Sequence, residues 1–305
     1  MSSTIETEAR VTDYPQSSGI RYLLSWILWP GLLASCMFAV ITGLNRGLDP
    51  VLTLFSVYFV LIVCIAILER VMPHEPSWNK NDGQIGNDIF HTIVNYIVVG
   101  AVVEAAVVAL IAKLVMLSTT LTSASIWPVD WPVWAQFILL LFVGEAGSYT
   151  AHRISHEVPF LWRFHAVHHS ATSLYWLNTG RFHTIDVIET VVLALPLPLL
   201  LGAPAELMFL FTCFTMFVGV LSHCNIEMRF GILDWIFNTP GVHRWHHSTV
   251  IEEGNTNYGE NLMVYDVLLG THFRPGRQIH VVGTDTPVPK SILGQMIKPL
   301  TGYKE

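Results

Sequence analysis

The chain has 305 residues, of which 52% are hydrophobic and only 13% charged, and its mean hydropathy is +0.49. Soluble domains carry about 25% charged residues, so an ordinary soluble fold is excluded, and so is disorder, which needs far less apolar material. A net charge of −7 without a basic cluster also argues against a nucleic-acid partner.

Residues 1–21 are polar and predict a tail, without the apolar core and small-residue cleavage site of a signal peptide. About 20 apolar residues suffice to cross a bilayer as a helix. The runs 22–44 and 51–68 are uncharged, 89–117 contains His91, Asn95, Glu104 and Lys113, and 131–149 contains Glu145. These four runs predict transmembrane helices filling 22–149. Two shorter runs, 187–201 and 207–222, flank Gly202-Ala203-Pro204, a turn by composition. They predict a short helical hairpin that crosses or dips into the bilayer. Residues 276–305 are expected to form a C-terminal tail. The expected fold is therefore all-α: an integral membrane helical bundle of about four transmembrane helices plus the hairpin, with a helical cap that carries the histidines. The histidine-box region is expected over 150–275, the membrane hairpin 187–222 included.

Basic residues in short loops set orientation. Arg10, Arg21, Arg70 and Lys80 lie on one side of the predicted spans, Arg46 on the other, and 10 of the 16 basic residues follow position 150. The N-terminus, the 70–88 loop and the cap are thus expected on the cytoplasmic side. The four cysteines, Cys36, Cys64, Cys213 and Cys224, form no CxxC pair and read as small apolar side chains.

The chain has 14 histidines against 16 lysines and arginines, and 10 of the 14 lie between His152 and His247. His152-Arg-Ile-Ser-His156 has the spacing i, i+4. His165-Ala-Val-His168-His169 and His243-Arg-Trp-His246-His247 both read i, i+3, i+4. Each set lies on one face of a helix. His183 and His223 stand between the boxes. Neutral imidazole binds iron, zinc, copper and nickel, and one ion takes about four to six protein ligands. So many imidazoles exceed one centre and suit two. Idle, they would bury polar groups, and protonated they would repel. The ligand set expected is His152, His156, His165, His168, His169, His183, His223, His243, His246 and His247, while His74, His91, His272 and His280 are expected outside it. Neither an HExxH protease motif nor the Glu-x-x-His of carboxylate-rich di-iron bundles is present.

Over roughly 85–275 the chain resembles the fatty acid hydroxylase and sterol desaturase superfamily of membrane-bound histidine-box oxygenases. The resemblance rests on the three boxes, on Arg181-Phe-His183, His223-x-Asn225 and Pro240 through His247-Ser248, and on Asn257-Tyr-Gly259 and Asp266-x-x-x-Gly270-Thr271. Thr184 departs from the proline that many members carry there. The resemblance implies a non-haem di-iron site that uses O2 to hydroxylate or desaturate an unactivated C–H bond of a lipid: a sterol, fatty acyl, ether lipid or carotenoid. No dinucleotide fingerprint is present, so electrons are expected from a separate reductase, cytochrome or ferredoxin. Zinc is the alternative occupant of the isolated protein, because it stands above Fe2+ in affinity order.

Imidazoles at a metal are commonly held in one tautomer by acceptors behind them. Glu145, Glu157, Asp186, Glu189, Asn225 and Asp266 are candidates for that role. Glu145 lies two helical turns before His152 within a span, where a carboxylate is costly, and it is expected with Asn225 to serve catalysis directly. Arg153, Arg163, Arg181 and Arg244 flank the boxes as partners for carboxylates, lipid phosphates or the electron donor. Trp162, Tyr175, Trp176, Trp235 and Trp245 suit interfacial anchors or tunnel walls. The competing readings are a membrane metal-handling or transport protein, and a haem electron-transfer protein, which needs only two axial ligands per haem.

Overall fold

The computed structural model of the chain describes residues 11–15, 17–119 and 126–303. Most of the predicted N-terminal tail, with Arg10, lies outside them. As expected, the architecture is all-α, and among the described residues the sheet is one antiparallel pair, β1 (Val11–Thr12) with β2 (Gln278–Ile279).

α1 (Gly19–Asn45) and α2 (Pro50–Val71) form an apolar hairpin. Asp49 starts α2 by accepting a hydrogen bond from the Leu52 amide, with Pro50 at the first helical position, where its missing N–H costs nothing. The third apolar run is a continuous helical segment, α3 (Ile85–Asn95), a π-helical stretch (Tyr96–Glu104) and α4 (Ala105–Thr119). α5 (Val133–Glu157) carries the first histidine box on its last two turns, and α6 (Pro159–His169) carries the second. The turn between them occupies little chain, because Pro159 cannot continue α5 and pre-sets the first turn of α6.

The predicted hairpin corresponds to α7 (Thr184–Ala194) and α8 (Pro196–Leu201) followed by α9 (Ala205–His223), and both arms pack on α5. Gly202, at φ +85°, closes α8, and Pro204 precedes α9. Among the described residues, five helices are long and apolar enough to cross a membrane: Gly19–Asn45, Pro50–Val71, Val133–Glu157, Thr184–Leu201 and Ala205–His223. The hairpin arms therefore have the length of full spans, and the chain is an integral, multi-pass membrane protein. α9 sits at the centre of the core. Its Phe211, Phe217, Val218 and Leu221 pack with Trp29, Val40, Leu61, Ile65 and Leu140 from α1, α2 and α5.

Beyond the spans lie α10 (Pro240–His246) with the third box, α11 (Ile251–Gly254), α12 (Val264–Leu269) and α13 (Ile292–Thr301). α13 occupies 10 residues of the expected C-terminal tail with a helix docked on the body of the protein. Cys36, Cys213 and Cys224 are buried thiols, consistent with small apolar side chains.

Candidate metal centre

The boxes converge at the ends of α5, α6, α9 and α10. Nine of the ten expected ligands form two groups. His152, His156, His165, His169 and His246 make one; His168, His223, His243 and His247 make the other. Within each group the nearest ring nitrogens all lie within 4.8 Å of one another. All nine side chains are buried, none more than 8% exposed. The i, i+4 pairs stay together and the i+3 member crosses over: His168 leaves its box for the second group, and His246 leaves its box for the first.

Most of these rings carry a hydrogen-bond acceptor behind them. Nδ1 of His152 donates to the Tyr258 carbonyl (2.8 Å), and that of His246 to the Thr256 carbonyl (2.7 Å). Nδ1 of His165 meets Asp186 Oδ2 at 3.0 Å, that of His156 meets Asn255 Oδ1 at 3.0 Å, and that of His223 meets Asn178 Oδ1 at 3.1 Å. A carbonyl or carboxylate only accepts, so the proton sits on Nδ1 and the Nε2 lone pair is left free.

The free nitrogens face each other. Nε2 of His165 lies 3.1 Å from Nε2 of both His152 and His169, and His243 and His247 repeat that distance. His152 and His165 both donate through Nδ1, so the Nε2 atoms that meet between them are two lone pairs and cannot hydrogen-bond. Two nitrogens bound at about 2.1 Å to one ion at a right angle would stand about 3 Å apart. His156 and His246, whose Nδ1 atoms face acceptors, have Nε2 buried with no hydrogen-bond partner, an expensive state unless a cation takes the lone pair. The donor set thus fits two metal ions, one with five imidazoles and one with four.

Electrostatics agrees. Burial, and after it the crowding of neighbouring histidines, holds His168, His169, His243, His246 and His247 well below the usual imidazole range. These rings stay neutral, the form a metal requires. Cluster and solvent meet at a cavity of about 150 Å3 that reaches His156 and His169 and is lined by Trp162, Ser248, Asn255 and Asp285.

Three expected site residues sit elsewhere. His183 joins neither group: it caps α7, its Nδ1 accepting from the Ile185 amide, while Nε2 meets the Met296 carbonyl at 3.1 Å. As the N-cap of α7 it cannot turn both nitrogens inward. Glu145 accepts from the amides of Glu260 (2.6 Å) and Asn261 (3.1 Å), so it fixes the loop that presents the Tyr258 carbonyl to His152. Asn225 is spent on the backbone of Glu75, accepting from its amide and donating to its carbonyl. Asp266 likewise secures the Tyr258 and Gly259 amides. Glu157 pairs with Arg153. Sequence reasoning missed Asn178 and Asn255, which bond the ligands directly. Neither stands in a box, and no spacing rule marks them.

The remaining histidines lie outside both groups. His74 stacks on His280 at 4.9 Å, His272 stacks on Trp235, and His91 bonds Gln295. Arg181 pairs with the buried carboxylate of Asp88 at 2.5 Å, and Arg244 donates to the carbonyls of Cys224 and Ile226.

Residues 137–271, which contain every histidine of both groups, match the family model described as fatty acid hydroxylase. Ornithine lipid hydroxylase OlsE of Rhizobium tropici is 40% identical over 298 residues, 96% of this chain and 89% of that protein. The chain belongs to the fatty acid hydroxylase family. Two further relatives match about half of the chain. Alkylglycerol monooxygenase of Xenopus tropicalis is 27% identical over 53% of this chain and 35% of its own length. Very-long-chain aldehyde decarbonylase GL1-9 of Oryza sativa subsp. indica is 28% identical over 45% and 54%. No solved structure matches.

Proposed function

We propose that this fatty acid hydroxylase family member is a membrane-bound lipid hydroxylase that uses two iron ions, O2 and electrons from a separate donor protein. The observation that carries the reading is the pair of buried groups, five imidazoles and four, in each of which one ring nitrogen per residue lies within 4.8 Å of the others. Iron bound there would supply reductive activation of O2 and oxidation of an unactivated C–H bond. His152, His156, His165, His169 and His246 would hold one ion, and His168, His223, His243 and His247 the other. Asp186, Asn178 and Asn255 would hold the ring tautomers, and Glu145 would act as a positioning residue through the loop at 258–261.

The substrate we propose is an ornithine-type lipid. Support comes from the relative that shares 40% identity over nearly the whole chain, and from the polar cavity at His156 and His169. Asp285 on its lining offers a carboxylate to an amine. We place the cavity and both histidine groups on the cytoplasmic side, following the basic loops, where a reductase, cytochrome or ferredoxin would deliver electrons.

Expression in a bacterium that makes ornithine lipids tests the reading. Lipid mass spectrometry should show a new species heavier by one oxygen, absent from a His165→Ala strain. Loss of two hydrogens instead would make the enzyme a desaturase, and an unchanged lipid profile with intact iron would refute the lipid substrate.

A further inference from the structure

α13 presents its faces in reverse order for a helix on a water-facing surface. Leu293, Ile297 and Leu300 are 69%, 48% and 55% exposed, and their spacing of four and three residues puts them on one face. The opposite face buries a polar side chain. Gln295 is 1% exposed and hydrogen-bonds His91 of α3 (2.9 Å) and Gln84 (3.2 Å). The neighbouring backbone is tied down as well: the Met296 carbonyl meets His183 Nε2, and the Lys290 carbonyl accepts from Asn87. Tyr303 closes the segment with a bond to the Arg163 carbonyl of α6. The helix is therefore fixed in place with its apolar face outward.

Two features identify what covers that face. The elements holding α13 are themselves apolar on the outside: Ile85, Ile89 and Ile93 of α3 and Phe160 of α6 are 40%, 43%, 51% and 56% exposed. α3 runs on through the π-helical stretch into α4, an apolar helical segment. The outward face of α13 thus adjoins elements that lead into the membrane. In addition, residues 286–303 contain Lys290 and Lys298 and no carboxylate, which complements anionic headgroups.

We propose that α13 lies in the plane of the membrane interface, with Leu293, Ile297 and Leu300 among the acyl chains below the headgroups, and that it anchors the histidine-bearing cap to the bilayer. His91 and His183 then serve as the bolts between this anchor and the body of the protein, which explains why neither reaches a metal group. The proposal stands independently of the substrate, because it concerns lipid as a solvent.

The test uses the full chain reconstituted into vesicles of phosphatidylcholine and phosphatidylglycerol, with Cys64 replaced by serine. A bimane label is placed at Ile297→Cys in one sample and at the exposed Glu252→Cys in another. Brominated acyl chains should quench the label at 297, and aqueous iodide should not; the label at 252 should behave in the opposite way. Quenching at 297 by iodide with no effect of bromolipid would overturn the proposal. So would disulfide crosslinking of two chains through position 297 with bromolipid excluded, since a second copy would then cover the face. Label at 293 provides an independent repeat and should follow the label at 297.

Discussion

At the scale of single residues, the site depends on acceptors that no motif announces. Asp186 stands 3.0 Å behind His165, whose Nε2 lies 3.1 Å from two other imidazoles of its group. Replacing Asp186 by asparagine removes the charge and lets the ring choose its tautomer. We expect a loss of metal affinity of roughly 10- to 100-fold, read as iron per chain after dialysis, and Asn178→Ala should do the same through His223. Retention of both ions in either variant would show that the imidazoles need no orientation from behind. His183→Ala provides the contrast. Iron should stay bound, and only thermal stability should fall, because that ring caps α7. Acid titration tests the same group of rings from another side. The folded pKa values of His168, His169, His243, His246 and His247 lie well below the usual imidazole value, about 6.5. Above about 6.5 neither folded nor unfolded chain carries these protons, so stability is flat there. Below it the unfolded chain takes up protons that the folded chain refuses, and stability falls as pH drops. Metal, in turn, meets no competition from protons until the depressed folded values are reached. Iron content should therefore hold constant from about pH 8 to about pH 6; release with a midpoint near 6.5 would mean exposed, ordinary imidazoles. The boxes themselves were legible from spacing alone, and so were His74, His272 and His280 as outsiders. What could not be read was which nitrogen has a partner, since Asn178 and Asn255 look like any other loop asparagine until the chain is folded.

At the scale of elements, helical geometry explains how one box feeds two ions. With 3.6 residues per turn, position i+4 lies about 40° to one side of i, and i+3 about 60° to the other. His165 and His169 therefore share one group while His168 leans into the other, and His243, His247 and His246 repeat the arrangement in mirror roles. The sequence pattern showed one face per box but not that the face is divided. It also predicted a helix through 89–117 without the π-helical stretch at Tyr96–Glu104, because a uniformly apolar run carries no period that separates a π turn from an α turn. Two close helix contacts set the angle between these elements. A Cβ on Gly147 of α5 would fall 2.3 Å from the Leu193 carbonyl of α7, and one on Gly144 would strike the Phe211 ring. Since α7 carries Asp186, the Gly147 contact sets how near that carboxylate comes to His165. Gly147→Leu should cost about 1–3 kcal/mol by overpacking, seen as a lower thermal midpoint, and it should also reduce bound iron. A variant with lowered midpoint but full iron would separate the packing from the site.

At the scale of the molecule, membrane and metal hold different parts together. The spans are kept by lipid and by their own backbone hydrogen bonds, whereas the cap brings ligands from α5, α6, α9 and α10 to two points. An ion bound only by the native arrangement adds stability in proportion to its saturation, about 2.7 kcal/mol at one hundred times its dissociation constant. Removing both ions leaves nine buried imidazoles without the cation that would take their lone pairs, so the loss should be concentrated in the cap. Chelation in detergent is expected to leave helical circular dichroism nearly unchanged while the thermal midpoint falls, and limited proteolysis should begin within residues 150–275 and spare α1, α2 and α9. Adding iron back should restore both midpoint and protection. If chelated protein instead loses its spans together with the cap, the two regions form one cooperative unit, and the metal supports the whole bundle through α5 and α9, the two helices that belong to both.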